Sequence, residues 1–437
     1  MLCVDVGSTF TKVCLVSDDG DLLGTAQAAT RLEGHISHGD VMDGVRAAAS
    51  TLGVTPDAQT LACSSAGGGL RLAVVGYERQ VTAEAGRRVG LSAGARVVHV
   101  AAGPLDAAGC RALAAAVPDL VLLAGGTDGG NADVLRHNAD ALAALALRVP
   151  VVVAGNVDAR ADVVAALERA HQPVIGAANV VPRIGVIAPQ GARDAIRAAF
   201  LEHVIGGKHL SADPLFARVV RAPTPDAVLR GVEVVAEVLG QDVLVVDVGG
   251  ATTDVYSVVR PEGEDATLRR EVVAPLWHAR TVEGDLGMRW NADGVLEAAG
   301  LEGFPVAPEL TAYARAVADQ PGRLPATPDE EALDLELARL AAVVAVRRHG
   351  RPAGPGEAPR PLGAVGLVLG SGGVLRYADP DRAQAVVRAV AADHAGGWRL
   401  PRSARTGVDA AYLLFAVGLL AETRPRAARR LARALDG

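Results

Sequence analysis

Residues 2–12 read Leu-Cys-Val-Asp-Val-Gly-Ser-Thr-Phe-Thr-Lys, an apolar run broken by one acid, a Val-Gly turn, then hydroxyl residues entering a second apolar run. The pattern returns at residues 244–254 as Leu-Val-Val-Asp-Val-Gly-Gly-Ala-Thr-Thr-Asp. Strand-like text follows each copy, at 22–30 after the first and 268–275 after the second. Short apolar runs bounded by glycine turns predict strands, so each copy predicts a β-hairpin and a third strand, followed by helices. One pattern used twice predicts two related halves with a cleft between them.

The text between the halves is different. Leu61-Ala-Cys-Ser-Ser, Arg96-Val-Val-His-Val, Leu120-Val-Leu-Leu-Ala, Val149-Pro-Val-Val-Val-Ala and Ile184-Gly-Val-Ile-Ala are unbroken apolar runs. Ala-rich helical stretches such as 106–116 and 138–147 separate them, a texture that predicts a parallel sheet covered on both faces. The expected division is a first half at 1–60, an inserted α/β domain at 61–205 and a second half at 206–437. The fold class expected is α/β: two duplicated halves with an inserted parallel α/β domain. A helix over 226–239 follows the cluster Pro223-Thr-Pro-Asp. Pro/Gly-rich breaks fall at 303–308, 320–328 and 351–361, the last expected as a mobile surface loop. Leu367-Val-Leu-Gly-Ser-Gly-Gly-Val-Leu restores strand, turn and helix, and an apolar helix is expected over 408–421.

Composition narrows the classes. The 437 residues are 50% apolar but only 3% aromatic, so Ala, Val, Leu and Gly do the packing. A formal charge of −7 argues against a nucleic-acid partner. Cys3, Cys14, Cys63 and Cys110 form no C-x-x-C pair, so buried reduced thiols and no iron–sulfur or zinc site are expected. The apolar runs are too short to span a membrane, and no basic leader precedes the first strand; a cytoplasmic chain is expected.

The glycine turns carry the candidate chemistry. A triphosphate needs backbone N–H groups that glycine lets approach closely, hydroxyls, a cation, and carboxylates for a Mg²⁺ that keeps part of its water. Gly7, Ser8, Thr9 and Thr11 in the first copy, and Gly249, Gly250, Ala251, Thr252 and Thr253 in the second, are the candidate phosphate contacts. Asp5 and Asp247 are the candidate catalytic and metal-holding carboxylates. Lys12 and Lys208 are the sole lysines of the chain; a compact ammonium beside the first turn suits phosphate, and simple exposure is the alternative. Gly370, Ser371, Gly372 and Gly373 form a third strand-to-helix turn, expected on the adenosine side. Glu283, with Asp285 and Arg289, follows the second half's third strand and reads either as a nucleotide contact or as packing and capping.

These three loops resemble the actin, hexokinase and heat-shock-chaperone ATPase superfamily, in which they would be phosphate-1, phosphate-2 and adenosine motifs; the resemblance implies duplicated actin-like (ribonuclease H-like) ATPase halves around the inserted parallel α/β domain. Residues 5–12, Ser65-Ala-Gly-Gly-Gly-Leu, Ala124-Gly-Gly-Thr-Asp-Gly-Gly-Asn, 247–254 and Thr281-Val-Glu-Gly-Asp-Leu-Gly-Met-Arg resemble more closely the accessory-protein family of glutamate mutase, the MutL/GlmL type. That resemblance implies ATP/ADP and Mg²⁺ as ligands. It also implies a chaperone or reactivase role toward the subunits of an adenosylcobalamin-dependent mutase, and leaves a homo-oligomer open. Heat-shock chaperones carry a Glu before Pro-Thr at the first connecting helix; here Ala222 stands before Pro223-Thr224, which implies slow hydrolysis. Asp226 or Glu233 is the candidate substitute. A small-molecule kinase of the same fold is the alternative function, and a purely structural nucleotide binder the third.

Two further glycine clusters lie in the insert. Residues 125–131 follow a strand where open parallel sheets place ligands, so Asp128 reads as a metal or partner contact or as part of a capped turn. Residues 64–69 suggest a nucleophile loop but lack a histidine partner, which favours a turn. Histidines 35, 38, 99, 137, 171, 203, 209, 278, 349 and 394 form no ligand-spaced set.

Overall fold

The computed structural model describes residues 1–7, 9–30, 40–57, 59–66, 70–93, 95–184, 186–205, 210–260, 277–352, 359–395, 401 and 403–436. Ser8, the glycines at 67–69, the segment 268–275, His35, His38, His209 and most of the 351–361 loop lie outside these residues. The chain divides into two compact units, Met1–Val16 with Leu22–Ala227, and Ser17–Asp21 with Val228–Gly437.

In the first unit, β1 (Leu2–Val6), β2 (Phe10–Val16), β3 (Leu22–Ala29) and β4 (Thr60–Ser64) precede a second set of strands. That set is β5 (Arg71–Gly76), β6 (Arg96–Ala102), β7 (Leu120–Leu123), β8 (Val151–Val153) and β9 (Val174–Gly176), and β10 (Val220–Pro223) closes the unit. One sheet runs β10-β4-β1-β2-β3, with β1–β2 and β2–β3 antiparallel and β1–β4 and β4–β10 parallel. The other runs β6-β5-β7-β8-β9 and is parallel throughout. Helices Glu84–Ser92 and Gln190–Ala199 share a core with both sheets through Ala85, Val89, Ala192 and Ile196. Leu113, Leu135, Leu142, Val163 and Leu167, from three further helices, cover the other face of the parallel sheet. The inner strands β7 and β8 are all apolar and fully buried, as a parallel sheet covered on both faces requires, while the edge strands β6 and β9 are only partly covered.

The second unit holds β11 (Val243–Val248), β12 (Thr253–Val259), β13 (Trp277–Glu283), β14 (Leu367–Ser371) and β15 (Arg405–Val408) in the order β13-β12-β11-β14-β15. Its pairings are again antiparallel on one side of β11 and parallel on the other. The same five-stranded frame therefore occurs twice, and the fold is the duplicated actin-like α/β arrangement.

Several elements differ from the sequence reading. Thr60–Ser64 pairs with β1 in the first sheet instead of opening the insert. The run Arg71–Gly76, not singled out, supplies the second strand of the parallel sheet. Ile184 and residues 186–188 belong to no strand beyond an Arg183–Val186 bridge; Ile184 is 89% exposed, and Val174–Gly176 takes the edge. The helix expected over 408–421 is instead a strand ending at Val408 followed by helix Leu414–Thr423, whose N-terminus Asp409 caps. The 226–239 helix starts two residues earlier, at Thr224.

Candidate functional site

In the first unit, strand pairing sets Asp5 opposite Lys12 on β2 and opposite Cys63 on β4. All three therefore project from one face of the sheet. Lys12 Nζ lies 3.3 Å from Asp5 Oδ2. Thr224 Oγ1 donates to Asp5 Oδ1 at 2.5 Å, and Cys63 Sγ sits 3.6 Å from the same oxygen. Asp5 is buried, and burial beside this carboxylate pushes the Cys63 thiol well up. The turn is tight: Gly7 N–H donates to the Phe10 carbonyl at 3.2 Å, and a Cβ on Gly7 would meet that oxygen at 2.7 Å. Thr9 is exposed at the tip.

The second unit repeats this frame. Asp247 stands opposite Asp254 on β12 and Ser371 on β14, the positions held by Lys12 and Cys63 in the first. Gly249 N–H donates to the Thr252 carbonyl at 2.9 Å, and a Cβ there would meet that oxygen at 2.7 Å. Thr11 and Thr253 also correspond, and both depart from the expected role. Each is fully buried, Thr11 bonded to Thr30 Oγ1 at 2.9 Å and Thr253 donating to the Leu286 carbonyl at 2.6 Å. They pin the hairpins from the side away from the aspartates, since neighbours along a strand face opposite ways. The exposed or half-exposed residues of the turn are Gly249, Gly250, Ala251 and Thr252.

The third loop packs directly on the second. Gly372 has φ +109° and ψ 158°, and a Cβ there would lie 2.2 Å from the Val248 carbonyl. Gly370 is required by packing: its Cβ would fall 2.5 Å from Val387 Cγ2. Ser371 is buried, while Gly373 opens the short helix Gly373–Tyr377 with nothing near its Cβ position. Arg376 on that helix, not identified from sequence, places its guanidinium 5.4 Å from the Tyr377 ring and 5.3 Å from the Tyr412 ring. Its Tyr377 face is open, Tyr377 being 65% exposed. The Gly-Gly-x-x-Arg spacing was the available signal.

Other candidates have partners. Glu283 and Asp285 both bind Arg348 Nη1, at 3.0 and 2.7 Å. Burial raises the Glu283 carboxyl against that guanidinium, and the Arg348 hydrogen bond lowers Asp285. Arg289 grips Asp334 with two 2.8 Å bonds. Asp254 is raised by burial and opposed by Arg280, 3.4 Å away. Asp226 is held by Arg197 at 2.7 Å and Arg193 at 3.5 Å, and Glu233 by Arg230 at 2.7 Å and His278 at 3.2 Å. Both are thus committed to ion pairs. Ala222 is buried on β10 beside Cys63.

Beside the parallel sheet of the first unit, Asp128 Oδ1 accepts from Val157 N at the start of helix Val157–Arg169, and from Asn179 Nδ2 at 2.8 Å. Gly129 N donates to Asp158, and Asn156 Nδ2 to the Gly130 carbonyl. The 125–131 loop is a capped turn at the end of β7. Among the described residues no group of three His, Cys, Asp or Glu could hold a metal ion, and no helix is long and apolar enough to cross a membrane.

Comparison with known proteins matches residues 1–435 to the family model described as MutL protein. A curated relative, Protein MutL of Clostridium tetanomorphum, is 33% identical over 458 residues, spanning 98% of this chain and 97% of the relative. Among solved structures, nucleotide-free acetone carboxylase aligns over 96% of this chain and 70% of its own at 15% identity and a TM-score of 0.35. Component A of Acidaminococcus fermentans (R)-2-hydroxyglutaryl-CoA dehydratase aligns over 99% and 98% at 11% identity and 0.31. A ROK family glucokinase of Streptomyces griseus, in complex with glucose and AMPPNP, aligns over 99% and 100% at 15% identity and 0.31.

Proposed function

The chain belongs to the MutL protein family, and from that premise we propose that it is an ATP-binding accessory protein that reactivates an adenosylcobalamin-dependent mutase such as glutamate mutase. The observation that carries the nucleotide reading is the duplicated turn: the same register places an aspartate at the strand end and a glycine one turn on, at Asp5–Gly7 and again at Asp247–Gly249. Gly249, Gly250, Ala251 and Thr252 would cradle phosphates, with Gly7, Thr9 and Lys12 contributing from the first turn. Arg376 offers a planar cation for a base to stack on.

The donor set suits Mg²⁺. That ion keeps several waters and takes one or two carboxylates together with phosphate oxygens, so a pair of aspartates suffices where an all-protein cage is absent. Asp5 and Asp247 would hold it, mostly through water, and it would offset the charge of the β- and γ-phosphates. Asp5 lies 3.3 Å from Lys12 Nζ, with Thr224 fixing its other oxygen. With Ala222 at the usual glutamate position, and Asp226 and Glu233 each in ion pairs, neither candidate substitute is spare as general base. That supports slow turnover and counts against the kinase reading, which requires such a base. The insert, proposed as a separate domain, would grip the mutase.

Two measurements test this. Calorimetry with MgATP should give a binding isotherm that EDTA removes. Mixing the chain and MgATP with cobalamin-inactivated mutase should restore activity, whereas a non-hydrolysable analogue should not sustain it. A metabolite phosphorylated in step with ADP release would replace this reading with the kinase one.

A further inference from the structure

The segment that links β13 to helix Ala292–Leu301 lies along the second glycine turn and takes up its carbonyls in sequence. Met288 N–H donates to the Gly249 carbonyl at 3.1 Å, and Arg289 and Trp290 N–H donate to the Gly250 carbonyl at 2.8 and 3.0 Å. Asn291 Nδ2 reaches the Ala251 carbonyl at 3.3 Å. A Cβ on Gly287 would fall 2.3 Å from the Ala251 backbone, so the two chains are in direct contact.

A trans peptide points its C=O and the following N–H in opposite directions. Three consecutive carbonyls drawn toward residues 287–291 therefore turn the N–H groups of Gly250, Ala251 and Thr252 the other way, as a row of donors. Such a concavity favours an anion in proportion to how firmly its donors are fixed.

What fixes this brace is Arg289. Its stem packs on Gly250, whose Cβ position is 3.4 Å from Arg289 Cγ. Its guanidinium is clamped by both oxygens of Asp334, a buried acid on helix Pro328–Gly350 that also accepts from Tyr313 Oη at 3.0 Å. The charge is consumed in that clamp, so Arg289 acts on the turn from behind. Resting on the nucleotide reading above, we infer that Arg289, locked by Asp334, is a positioning residue that pre-aims the Gly250–Thr252 amides at the phosphate groups of the nucleotide.

The test compares wild type, Arg289→Lys and Asp334→Asn by calorimetry, each titrated with MgATP and with adenosine, with thermal melts run alongside. Lysine keeps the charge but loses the two-pronged fork. Both variants should bind MgATP about tenfold more weakly, as expected when preorganised donors loosen, while adenosine affinity changes less than about twofold. Variants that bind MgATP as wild type does would overturn the brace and leave the nucleotide reading intact. An equal loss for both ligands would mark a merely structural role and overturn it as well. A wild-type chain that takes up neither ligand would sink the parent reading and this one with it.

Discussion

Replacing Gly372 by alanine tests the packing of the third loop on the second. The residue sits at φ +109° and ψ 158°, a region occupied essentially by glycine, where another residue costs about 1–3 kcal/mol in backbone strain. The added methyl would lie 2.2 Å from the Val248 carbonyl oxygen, 2.9 Å from its carbon and 3.0 Å from its nitrogen. Those atoms are backbone of β11, hydrogen-bonded on both flanks, so no rotamer change relieves the contact. Strain and clash together should exceed about 3 kcal/mol, a large share of the roughly 5–15 kcal/mol that holds a domain folded.

Gly373 is the internal control. A Cβ there meets nothing within 4 Å, and alanine in place of glycine at a helical position is neutral or stabilising by up to about 1 kcal/mol. The assay is hydrogen exchange of the β11 and β14 amides, which follows the second unit separately and avoids a two-state fit to a chain of two units. Gly372→Ala should accelerate exchange there and leave β5–β9 unchanged; Gly373→Ala should do neither. Equal protection in Gly372→Ala and wild type would refute the claim that this glycine is demanded by its conformation and by Val248.

Thr224→Val removes the hydroxyl that donates to Asp5 Oδ1 and should cost about 1–3 kcal/mol, with Thr224→Ser restoring most of it in a denaturation series. Asp247→Ala should abolish Mg²⁺-dependent ATP affinity in calorimetry. Asp128→Ala should leave that affinity intact and cost the first unit about 1–2 kcal/mol through its lost helix cap. Burial holds His349 well below its ordinary value of 6.5, between Ser257 Oγ at 2.8 Å and Thr281 Oγ1 at 2.9 Å. Since the unfolded chain then binds the extra proton more readily, stability is full above about pH 6.5 and falls as pH drops from there toward the depressed folded value. His349→Gln should flatten that acid slope in melts taken between about pH 7 and pH 5.

The repeated frame was legible because Asp-Val-Gly between apolar runs is local: strand, turn and strand are set by neighbours within a dozen residues. The parallel sheet was legible as a texture, but not strand by strand. Periodicity cannot say which neighbour an apolar run will pair with, so Thr60–Ser64 was placed in the wrong sheet. Apolarity alone also misread the run from Ile184, a side chain that is 89% exposed. Thr11 and Thr253 were misread because hydroxyl residues near a phosphate turn suggest ligands, whereas strand alternation turns these two away from Asp5 and Asp247. The ion pairs that occupy Asp226 and Glu233, and the Arg289–Asp334 clamp, join residues that are neighbours only after folding.

What duplication copied was the backbone, while the charges diverged. In the first turn the residue opposite the aspartate is Lys12, and Asp5 has a cation 3.3 Å away. In the second the same position holds another acid, Asp254, whose Oδ1 is buried with no hydrogen-bond partner among the described residues. Arg280 lies 3.4 Å from Asp254, so where the first turn sets a cation beside its aspartate, the second sets the charge of another acid. A bare triphosphate approaching these amides would meet that charge, and a magnesium-bound one would have it offset. The requirement for the metal should therefore reside in the second turn: Asp254→Asn should lower the Mg²⁺ concentration dependence of ATP affinity, while Lys12→Met should weaken ATP binding at every Mg²⁺ concentration. If the two substitutions exchange these effects in calorimetry across a magnesium series, the assignment of charge roles to the two turns is wrong.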